Sequence, residues 1–340
     1  MVAPKAIDLF SGCGGMTEGL KQAGFDVVGA VEINALAART YRINHPGIHV
    51  WERDIREVTG TMIKRKLGLR TGELDLVAGC PPCQGFSRMR TLNGGKARVI
   101  DGRNDLVFDF LRIVDELRPK AVLLENVPGL ARNHRFATFF EDLQHLGYIP
   151  NHAVLDAARF GVPQRRERLI VLCGLSAPIS FARDARIEPT VRDAIADLPP
   201  AGKSGDPAHD VPEKRDPWVA QMIALVPHNG GSRQDLPMEY TLRCHRGFDG
   251  FADVYGRMSW NTVSPTITSG FVNPSKGRFL HPTKDRTITV REGALLQTFP
   301  RRYWFPMDAG KYPVAEMIGN AIPPEFIRRQ ALEVRRQVTG

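Results

Sequence analysis

The sequence predicts an α/β fold, a doubly wound and mostly parallel sheet, together with a smaller, loop-rich domain. Three observations favour this fold. In the first half of the chain, short apolar runs alternate with segments of helical spacing, a pattern typical of parallel sheets. Glu32, Cys83 and Glu125 each follow an apolar run, where ligands bind in such sheets. From about residue 189, proline, glycine and short polar stretches dominate and helical periodicity fades.

Apolar spacing assigns the individual elements in chain order. The predicted strands are 6–10, 26–31, 74–78, 121–124 and 169–173, and the predicted helices are 16–23, 35–44, 106–117, 136–146, 218–226, 289–296 and 325–338. The clearest helix is 106–117, because apolar residues recur on one of its faces and Arg118-Pro119 ends it.

The length of 340 residues suggests two domains, at ~100–200 residues for each. The change of character near residue 189 places the boundary between them. We therefore expect a first domain over residues 1–188, completed by 313–340, and a second domain over 189–312.

Lysine and arginine outnumber aspartate and glutamate by 46 to 37, which gives a formal net charge of +9. This excess is compatible with a polyanionic partner and equally with a merely basic surface. No apolar run approaches the ~18 residues of a membrane span, and the first five residues lack the apolar core of a signal peptide. We expect a cytoplasmic protein without a membrane partner.

Five cysteines are scattered along the chain, and only Cys80 and Cys83 are closely spaced. The odd number in a long chain argues against a secreted disulfide framework. The Cys80-Pro-Pro-Cys83 segment by itself is compatible with a redox pair, half of a zinc site, or one nucleophile beside a bystander. No second C-x-x-C or H-x-x-x-H follows it, so we predict no metal site.

The segment from Asp8 to Gly15 places glycines where the backbone must turn tightly or approach a ligand closely. It fits G-x-G-x-x-G poorly and lacks the lysine of a phosphate loop. Glu32 ends the next predicted strand and could hold a ribose. The glycine segment and Glu32 together predict a cofactor that contains adenosine. NAD, S-adenosylmethionine and a purely structural turn all stay open at this point.

Six short motifs are spread over nearly the whole chain. They are Asp8–Gly15, Gly79–Ser87, Glu125–Val127, Gln164–Arg168, Ser264–Thr268 and Gly319–Ile322. In this order and spacing they resemble the 5-methylcytosine DNA methyltransferase family of bacterial modification enzymes. The resemblance implies a Rossmann-like methyltransferase domain that binds S-adenosyl-L-methionine and a second domain for target recognition. It also implies methyl transfer to carbon 5 of a flipped-out cytosine in a specific sequence of double-stranded DNA.

The resemblance identifies Cys83 as the nucleophile and leaves Cys80 as a bystander. The chemistry independently needs such a residue, because a thiolate that adds to carbon 6 of cytosine makes carbon 5 nucleophilic. Glu125 would protonate ring N3 or hydrogen-bond to it. Arg166 resembles the family arginine that contacts the base carbonyl, and Arg168 would support the same site or neighbouring phosphates.

The resemblance also places the cofactor. Phe10 would stack on the adenine, Glu32 would bind the ribose hydroxyls, and Asp54 would accept from the adenine amino group. An ordinary core role for Leu106 stays open. The cofactor-binding residues that the resemblance implies are Phe10, Ser11, Gly12, Gly14, Glu32, Ile33, Asp54, Ile55, Pro82, Leu106, Asn320 and Ala321.

A cytosine inside a duplex has to be flipped out before Cys83 can reach it. The basic stretch 88–103 is predicted to be the mobile catalytic loop that closes over the phosphates. The region between Arg168 and Ser264 would read the sequence, with arginines on guanine edges. The predicted DNA-binding residues are Ser87, Arg88, Lys96, Arg98, Arg165, Thr241 and Arg243.

Two other functions stay open on this scaffold. The first is an RNA cytosine methyltransferase, since one branch of the family methylates transfer RNA. The recognition region of about 90 residues argues for DNA instead. The second is a silent DNA-binding protein, against which the intact Cys83, Glu125 and Arg166 argue. We expect a monomer and a separate cognate restriction endonuclease.

Overall fold

In the computed structural model of the chain, residues 2–82, 105–240 and 253–340 are described. They form two compact units. The first comprises Met1–Phe160, Glu167–Ala185 and Ile322–Gly340, and the second comprises Gly161–Arg166 and Arg186–Ala321. None of the helices in these ranges is long and apolar enough to cross a membrane.

The first unit contains one sheet, which has seven strands in its described residues, in the order β3-β2-β1-β4-β5-β7-β6. The strands are β1 (Lys5–Leu9), β2 (Asp26–Val31), β3 (His49–Trp51), β4 (Leu76–Gly79), β5 (Ala121–Asn126), β6 (Ile149–Asp156) and β7 (Glu167–Gly174). Strands β1 to β5 pair in parallel, and β7 is antiparallel to both β5 and β6. The predicted fold class is confirmed.

Two strands, β3 and β6, were not predicted. Strand β3 has only three residues, too few for a periodic pattern. Strand β6 lies at the edge of the sheet, where half-exposed residues such as Ile149 and Val154 blur the contrast between its two faces.

The first unit contains six α-helices among its described residues. They are α1 (Gly15–Gln22), α2 (Ala35–Asn44), α3 (Gly60–Leu67), α4 (Leu106–Leu117), α5 (His134–His145) and, from the C-terminus, α10 (Pro324–Thr339). The predicted helix 106–117 is α4, whose buried face includes Phe110, Ile113 and Leu117. It ends where Arg118 takes a left-handed conformation, with φ of 50°.

The register of the parallel strands brings their carboxyl ends level. Leu9 at the end of β1 pairs with Val31 of β2 and with Gly79 of β4, and Gly79 pairs with Leu124 of β5. Gly79 is required at this point, because an added Cβ would lie 2.5 Å from the Leu9 carbonyl oxygen. The residues that follow β1, β2, β4 and β5 therefore lie along one edge of the sheet.

The second unit is held together mainly by loops and short helices, as the sequence predicts. Its helices are α6 (Val191–Ile195), α7 (Pro217–Leu225), α8 (Val290–Leu296) and α9 (Lys311–Asn320). The fully buried Arg257 links several of these loops. Its guanidinium donates to the carbonyls of Val226, His281 and Ile223 and to the Asp285 carboxylate.

The two units differ from the predicted division at three places. Residues 186–188 belong to the second unit, a shift of three residues at the predicted boundary. Segment 161–166 pairs with the second unit, where Arg165 N–H donates to the Ser264 carbonyl and Ser264 N–H donates to the Pro163 carbonyl. Helix α9 also belongs there, because Gly319 lies flush against the backbone of Thr268. Long-range backbone contacts, which no local pattern reveals, decide the membership of segment 161–166 and of helix α9.

Candidate active site

The glycine loop after β1 has three residues in left-handed conformations. They are Phe10 (φ 61°), Gly12 (φ 54°) and Gly14 (φ 97°), which precedes α1. A phenylalanine in this region costs on the order of 1–3 kcal/mol, and such strain is concentrated at functional sites. An added Cβ on Gly12 would have no heavy atom of the described residues within 4 Å, so these residues leave open space beside the backbone here.

Ser11 provides a second sign that this loop holds a ligand. The residue is 5% exposed, and its Oγ is buried without a hydrogen-bond partner among the described residues. Buried hydroxyls in folded proteins are nearly always paired. The unpaired hydroxyl and the open space beside Gly12 fit a polar small molecule bound against the loop.

Glu32 follows β2 and braces the same loop. Its Oε2 accepts the Gly12 N–H at 2.7 Å, and its Oε1 accepts the Asn34 N–H at 2.7 Å. Burial raises the pKa of Glu32 above its usual value, against these hydrogen bonds. The next residue, Ile33, is 65% exposed and offers an apolar surface at this edge.

Asp54 follows β3 and begins a short 3₁₀ helix, Ile55–Glu57. Its Oδ1 accepts the backbone N–H of Arg56 at 3.0 Å, and hydrogen bonds from Arg56 lower the pKa of Asp54. Ile55 is buried at 3% exposure. The predicted acceptor for the adenine amino group is therefore a carboxylate with a fixed orientation.

Asp8 lies within β1 under the glycine loop, and no role was predicted for it. It is fully buried, and its Oδ2 accepts the Thr17 hydroxyl at 2.7 Å, which in turn lies 2.8 Å from the Tyr41 hydroxyl. Its Oδ1 has no partner among the described residues. Burial raises the pKa of Asp8 to about 7. The sequence offered one signal for this residue, an acidic side chain four positions before Gly12.

Glu125 lies near the end of β5, 7% exposed, and forms an ion pair with Arg168 of β7. Arg168 Nε is 2.8 Å from Glu125 Oε1. The antiparallel pairing of β5 with β7 sets this contact, because it brings Glu125 opposite Ile170 and Asn126 opposite Leu169. A carboxyl group and a guanidinium that donates hydrogen bonds thus meet at the carboxyl edge of the sheet.

The segment that leads to Cys83 is fixed to the same place. Asn126 Nδ2 donates to the Pro81 carbonyl at 2.9 Å, and Pro82 is the last described residue before Cys83. Burial, with the nearby Glu125 carboxylate, raises the pKa of the Cys80 thiol well above its usual value. A higher pKa disfavours the thiolate at Cys80, and its interpretation as a bystander stays a prediction.

Arg166, predicted to contact the base carbonyl, is buried in the second unit. It is 2% exposed and donates to the carbonyls of Ile267 at 3.1 Å, Gly319 at 3.0 Å and Ala321 at 2.9 Å. These contacts tie the Ser264–Thr268 motif to the Gly319–Ile322 motif. The contact of Arg166 with the base carbonyl stays a prediction, and the structure places Arg168 beside Glu125.

Two glutamines reinforce the same junction, and sequence reasoning missed them as a pair. Gln164 Nε2 donates to Gln297 Oε1 at 2.9 Å, while Gln164 Oε1 accepts the Ile267 N–H at 2.8 Å. Gln297 Nε2 donates to the Ile318 carbonyl at 2.8 Å. The network fixes the turn that carries Asn320, which is exposed, and Ala321.

The predicted site residues fall into three groups. The carboxyl edge of the first unit brings together Phe10, Ser11, Gly12, Gly14, Glu32, Ile33, Asp54, Ile55, Pro82, Glu125 and Arg168, and the partly buried Leu106 begins α4. The second unit contains Arg165, Arg166, Asn320 and Ala321. Cys83, Ser87, Arg88, Lys96, Arg98, Thr241 and Arg243 lie outside the described residues.

The whole chain matches known proteins. Residues 4–336 match the model of the C-5 cytosine-specific DNA methylase family. The Type II methylase M.HgiDII of Herpetosiphon aurantiacus is 34% identical over 98% of this chain and 96% of its own. The Type II methyltransferase M.XorII of Xanthomonas oryzae is 33% identical over 96% of this chain and 84% of its own. A DNA modification methyltransferase encoded within an E. coli prophage has a similar structure, with a TM-score of 0.73 and 26% identity. The match covers 99% of this chain and 100% of the other.

The parallel sheet, the glycine loop after its first strand and the acid after its second define a Rossmann-like methyltransferase that uses S-adenosyl-L-methionine. Within that class, the chain belongs to the C-5 cytosine-specific DNA methylase family. It is a DNA (cytosine-5-)-methyltransferase that acts on double-stranded DNA. The predicted family, activity and cofactor are confirmed.

Proposed function

We propose that this enzyme modifies one cytosine in a specific duplex sequence, as the methyltransferase of a Type II restriction–modification system, with Cys83 as its nucleophile. Its relatives M.HgiDII and M.XorII bear Type II names. The residue roles rest on one observation, the Glu125–Arg168 ion pair beside the Pro81-Pro82 segment that leads to Cys83.

In this proposal the Cys83 thiolate forms a bond to carbon 6 of the flipped-out cytosine, and the ring double bond shifts so that carbon 5 becomes nucleophilic. Glu125 donates its proton or a hydrogen bond to N3, where electron density increases during the addition. S-adenosyl-L-methionine supplies the methyl group. Water or another base then takes the carbon-5 proton, the double bond between carbons 5 and 6 re-forms as Cys83 leaves as a thiolate, and N3 returns any proton it received to Glu125.

In this proposal Arg168 and Arg166 both serve the base. Arg168 orients the Glu125 carboxyl group through the 2.8 Å contact and has further N–H groups for the base or for neighbouring phosphates. Arg166 would contact the base carbonyl, as the family resemblance implies, and its hydrogen bonds to three backbone carbonyls hold loops of the second unit.

The cofactor is proposed to lie along the carboxyl edge of the first unit. Phe10 would contact the adenine, Glu32 the ribose hydroxyls and Asp54 the adenine amino group. The open space at Gly12 and the unpaired Ser11 hydroxyl support this placement. Gly14, Ile33, Ile55, Pro82, Leu106, Asn320 and Ala321 complete the proposed set.

DNA contacts are proposed from the sequence. Arg165, which is exposed, would contact phosphate, as would Lys96 and Arg98, while Thr241 and Arg243 would face bases. We also propose a monomer that works in the cytoplasm, beside a cognate endonuclease that acts separately.

Bisulfite sequencing of DNA from cells that express the chain tests the activity, because it reports both methylation and its sequence context. Methylation at one recurrent site is expected, and it should be lost in Cys83→Ser and largely kept in Cys80→Ser. A duplex with 5-fluorocytosine should trap a covalent adduct, because fluorine cannot leave as a proton. Methylated transfer RNA with unmodified DNA would identify the RNA enzyme instead, and near-normal methylation by Cys83→Ser would remove the nucleophile assignment.

A further inference from the structure

Asp54 is held by one neighbouring residue, Arg56, through three hydrogen bonds. Its Oδ1 accepts the backbone N–H and the side-chain Nε of Arg56, each at 3.0 Å. Its Oδ2 accepts Nη2 of the same guanidinium at 2.5 Å. The side-chain pairing is bidentate, the arrangement that gives an arginine–carboxylate pair a defined geometry.

The three contacts leave part of the hydrogen-bond acceptor capacity of Asp54 unused. Each carboxylate oxygen offers about two acceptor positions, so Oδ1 is fully used and Oδ2 is half used. Among the contacts of the described residues, one acceptor position on Oδ2 therefore stays available. The Asp54 side chain is 19% exposed and that of Arg56 is 64% exposed, so the arginine holds the carboxylate from the solvent side.

We propose that Arg56 is a positioning residue that sets the enzyme's selectivity for an adenine base in its cofactor. By fixing Asp54, it directs the remaining acceptor of Oδ2 toward the amino group on carbon 6 of the adenine. This inference rests on the proposed placement of the adenine at Asp54. A base with a keto oxygen on carbon 6 presents an acceptor at that place, so Oδ2 loses its donor.

The charge of Arg56 supports the same role. Hydrogen bonds from Arg56 lower the pKa of Asp54, which keeps it an acceptor. Glu57 and Asp109 also face Arg56 and raise its pKa, and Arg112 on α4 holds Asp109.

Binding of two cofactor products tests this role in the purified full chain. S-adenosylhomocysteine and S-inosylhomocysteine are titrated by calorimetry at several pH values between 5 and 8. The wild type should prefer the adenine compound about tenfold or more, as expected for a hydrogen bond to a charged group. Arg56→Ala should lower this ratio several-fold at every pH in this range, because the carboxylate loses the bidentate pairing that orients Oδ2.

Two further variants separate charge from geometry. Arg56→Lys keeps the charge but not the bidentate pairing, so it should retain only part of the selectivity. Arg53→Ala removes the same charge from an exposed neighbour and should leave the ratio unchanged.

Two outcomes would overturn different statements. Equal binding of the two compounds by the wild type would remove the placement of adenine at Asp54, and with it part of the proposed function. A selective wild type together with an equally selective Arg56→Ala, at every pH, would overturn the role of Arg56 alone.

Discussion

At the scale of single residues, three acids near the carboxyl edge differ because their neighbours differ. Glu125 faces a guanidinium, Glu32 accepts two backbone N–H groups, and Asp8 is buried against hydroxyls. Burial raises the pKa of Glu32 and also that of Asp8. The same functional group therefore supports a loop at one position, packs in the core at another and is proposed to act on the base at a third.

Glu125→Gln should lower the turnover number far more than it lowers DNA affinity. The amide cannot exchange a proton with N3, and general acid–base catalysis contributes ~10²–10⁴-fold. Single-turnover methylation and a gel shift measure the two effects. Glu141→Gln, on the exposed surface of α5, is the matched control. An unchanged turnover number would move the proton role to another group.

Asp8→Asn should change how stability depends on pH. The folded protein raises the pKa of Asp8 from 3.8 to about 7, so between these values it binds more protons than the unfolded chain. This contribution is complete below pH 3.8 and is lost as the pH rises to about 7. Asparagine keeps an acceptor for Thr17 without ionising, so Asp8→Asn should be more stable than the wild type at pH 8, by on the order of 3 kcal/mol.

Urea unfolding of both proteins at pH 5, 6, 7 and 8 measures this difference. His45 and His281 are buried with lowered pKa values and titrate in both proteins, so they cancel in the comparison. Parallel curves for the two proteins would show that Asp8 is ionised throughout.

At the scale of elements, the glycine loop is supported by helix packing beneath it. Helix α1 starts at the loop and packs on α10, where Gly19 allows a close approach. An added Cβ at this position would lie 2.5 Å from the Pro324 carbonyl oxygen and 2.7 Å from Ile327 Cβ. The C-terminal helix is thus part of the cofactor-binding unit.

Gly19→Ala should therefore destabilise the first unit by about 1–3 kcal/mol, the usual cost of overpacking. Alanine would be the better helix former, so a loss of stability can come only from the contact with α10. Denaturant unfolding measures it, with Lys21→Ala on the exposed face of α1 as control. Equal or greater stability of Gly19→Ala would mean that α10 shifts at little cost.

At the scale of the whole molecule, the net charge of +9 suits a polyanionic partner, and the enzyme acts on DNA. Duplex affinity should fall with salt, with a log–log slope near −0.9 for each phosphate neutralised. Replacing Lys96 and Arg98 together should flatten the slope by about two and weaken cognate and random duplexes alike. Affinities at several salt concentrations measure this, and a full slope in the double variant would exclude the loop as a phosphate clamp.

Arg243→Ala should act differently if this residue reads a base. Discrimination between cognate and mismatched sites should fall by ~1–3 kcal/mol at one position, while random-duplex affinity stays nearly constant. A uniform loss across all duplexes would make Arg243 a phosphate contact.

The sequence by itself determined the family, the cofactor and the class of fold, because the evidence for them lies in short motifs and local periodicity. The Asp8–Gly15 loop and the periodicity of 106–117 each lie within one short segment, and each was observed as predicted. Elements without a strong local pattern, such as β3 and α9, were recognised only in the structure.

Only the tertiary structure shows the different partners of Arg166 and Arg168, which are two residues apart in one motif. Arg168 reaches Glu125 because β7 pairs with β5, and Arg166 is buried by carbonyls more than 100 residues away in the sequence. The same holds for the three hydrogen bonds that fix Asp54 and for the Ser11 hydroxyl, which has no partner in the part of the chain that the structure describes. Residue types follow from the chemistry that a motif must perform, whereas the partner of a side chain depends on which distant segments folding brings beside it.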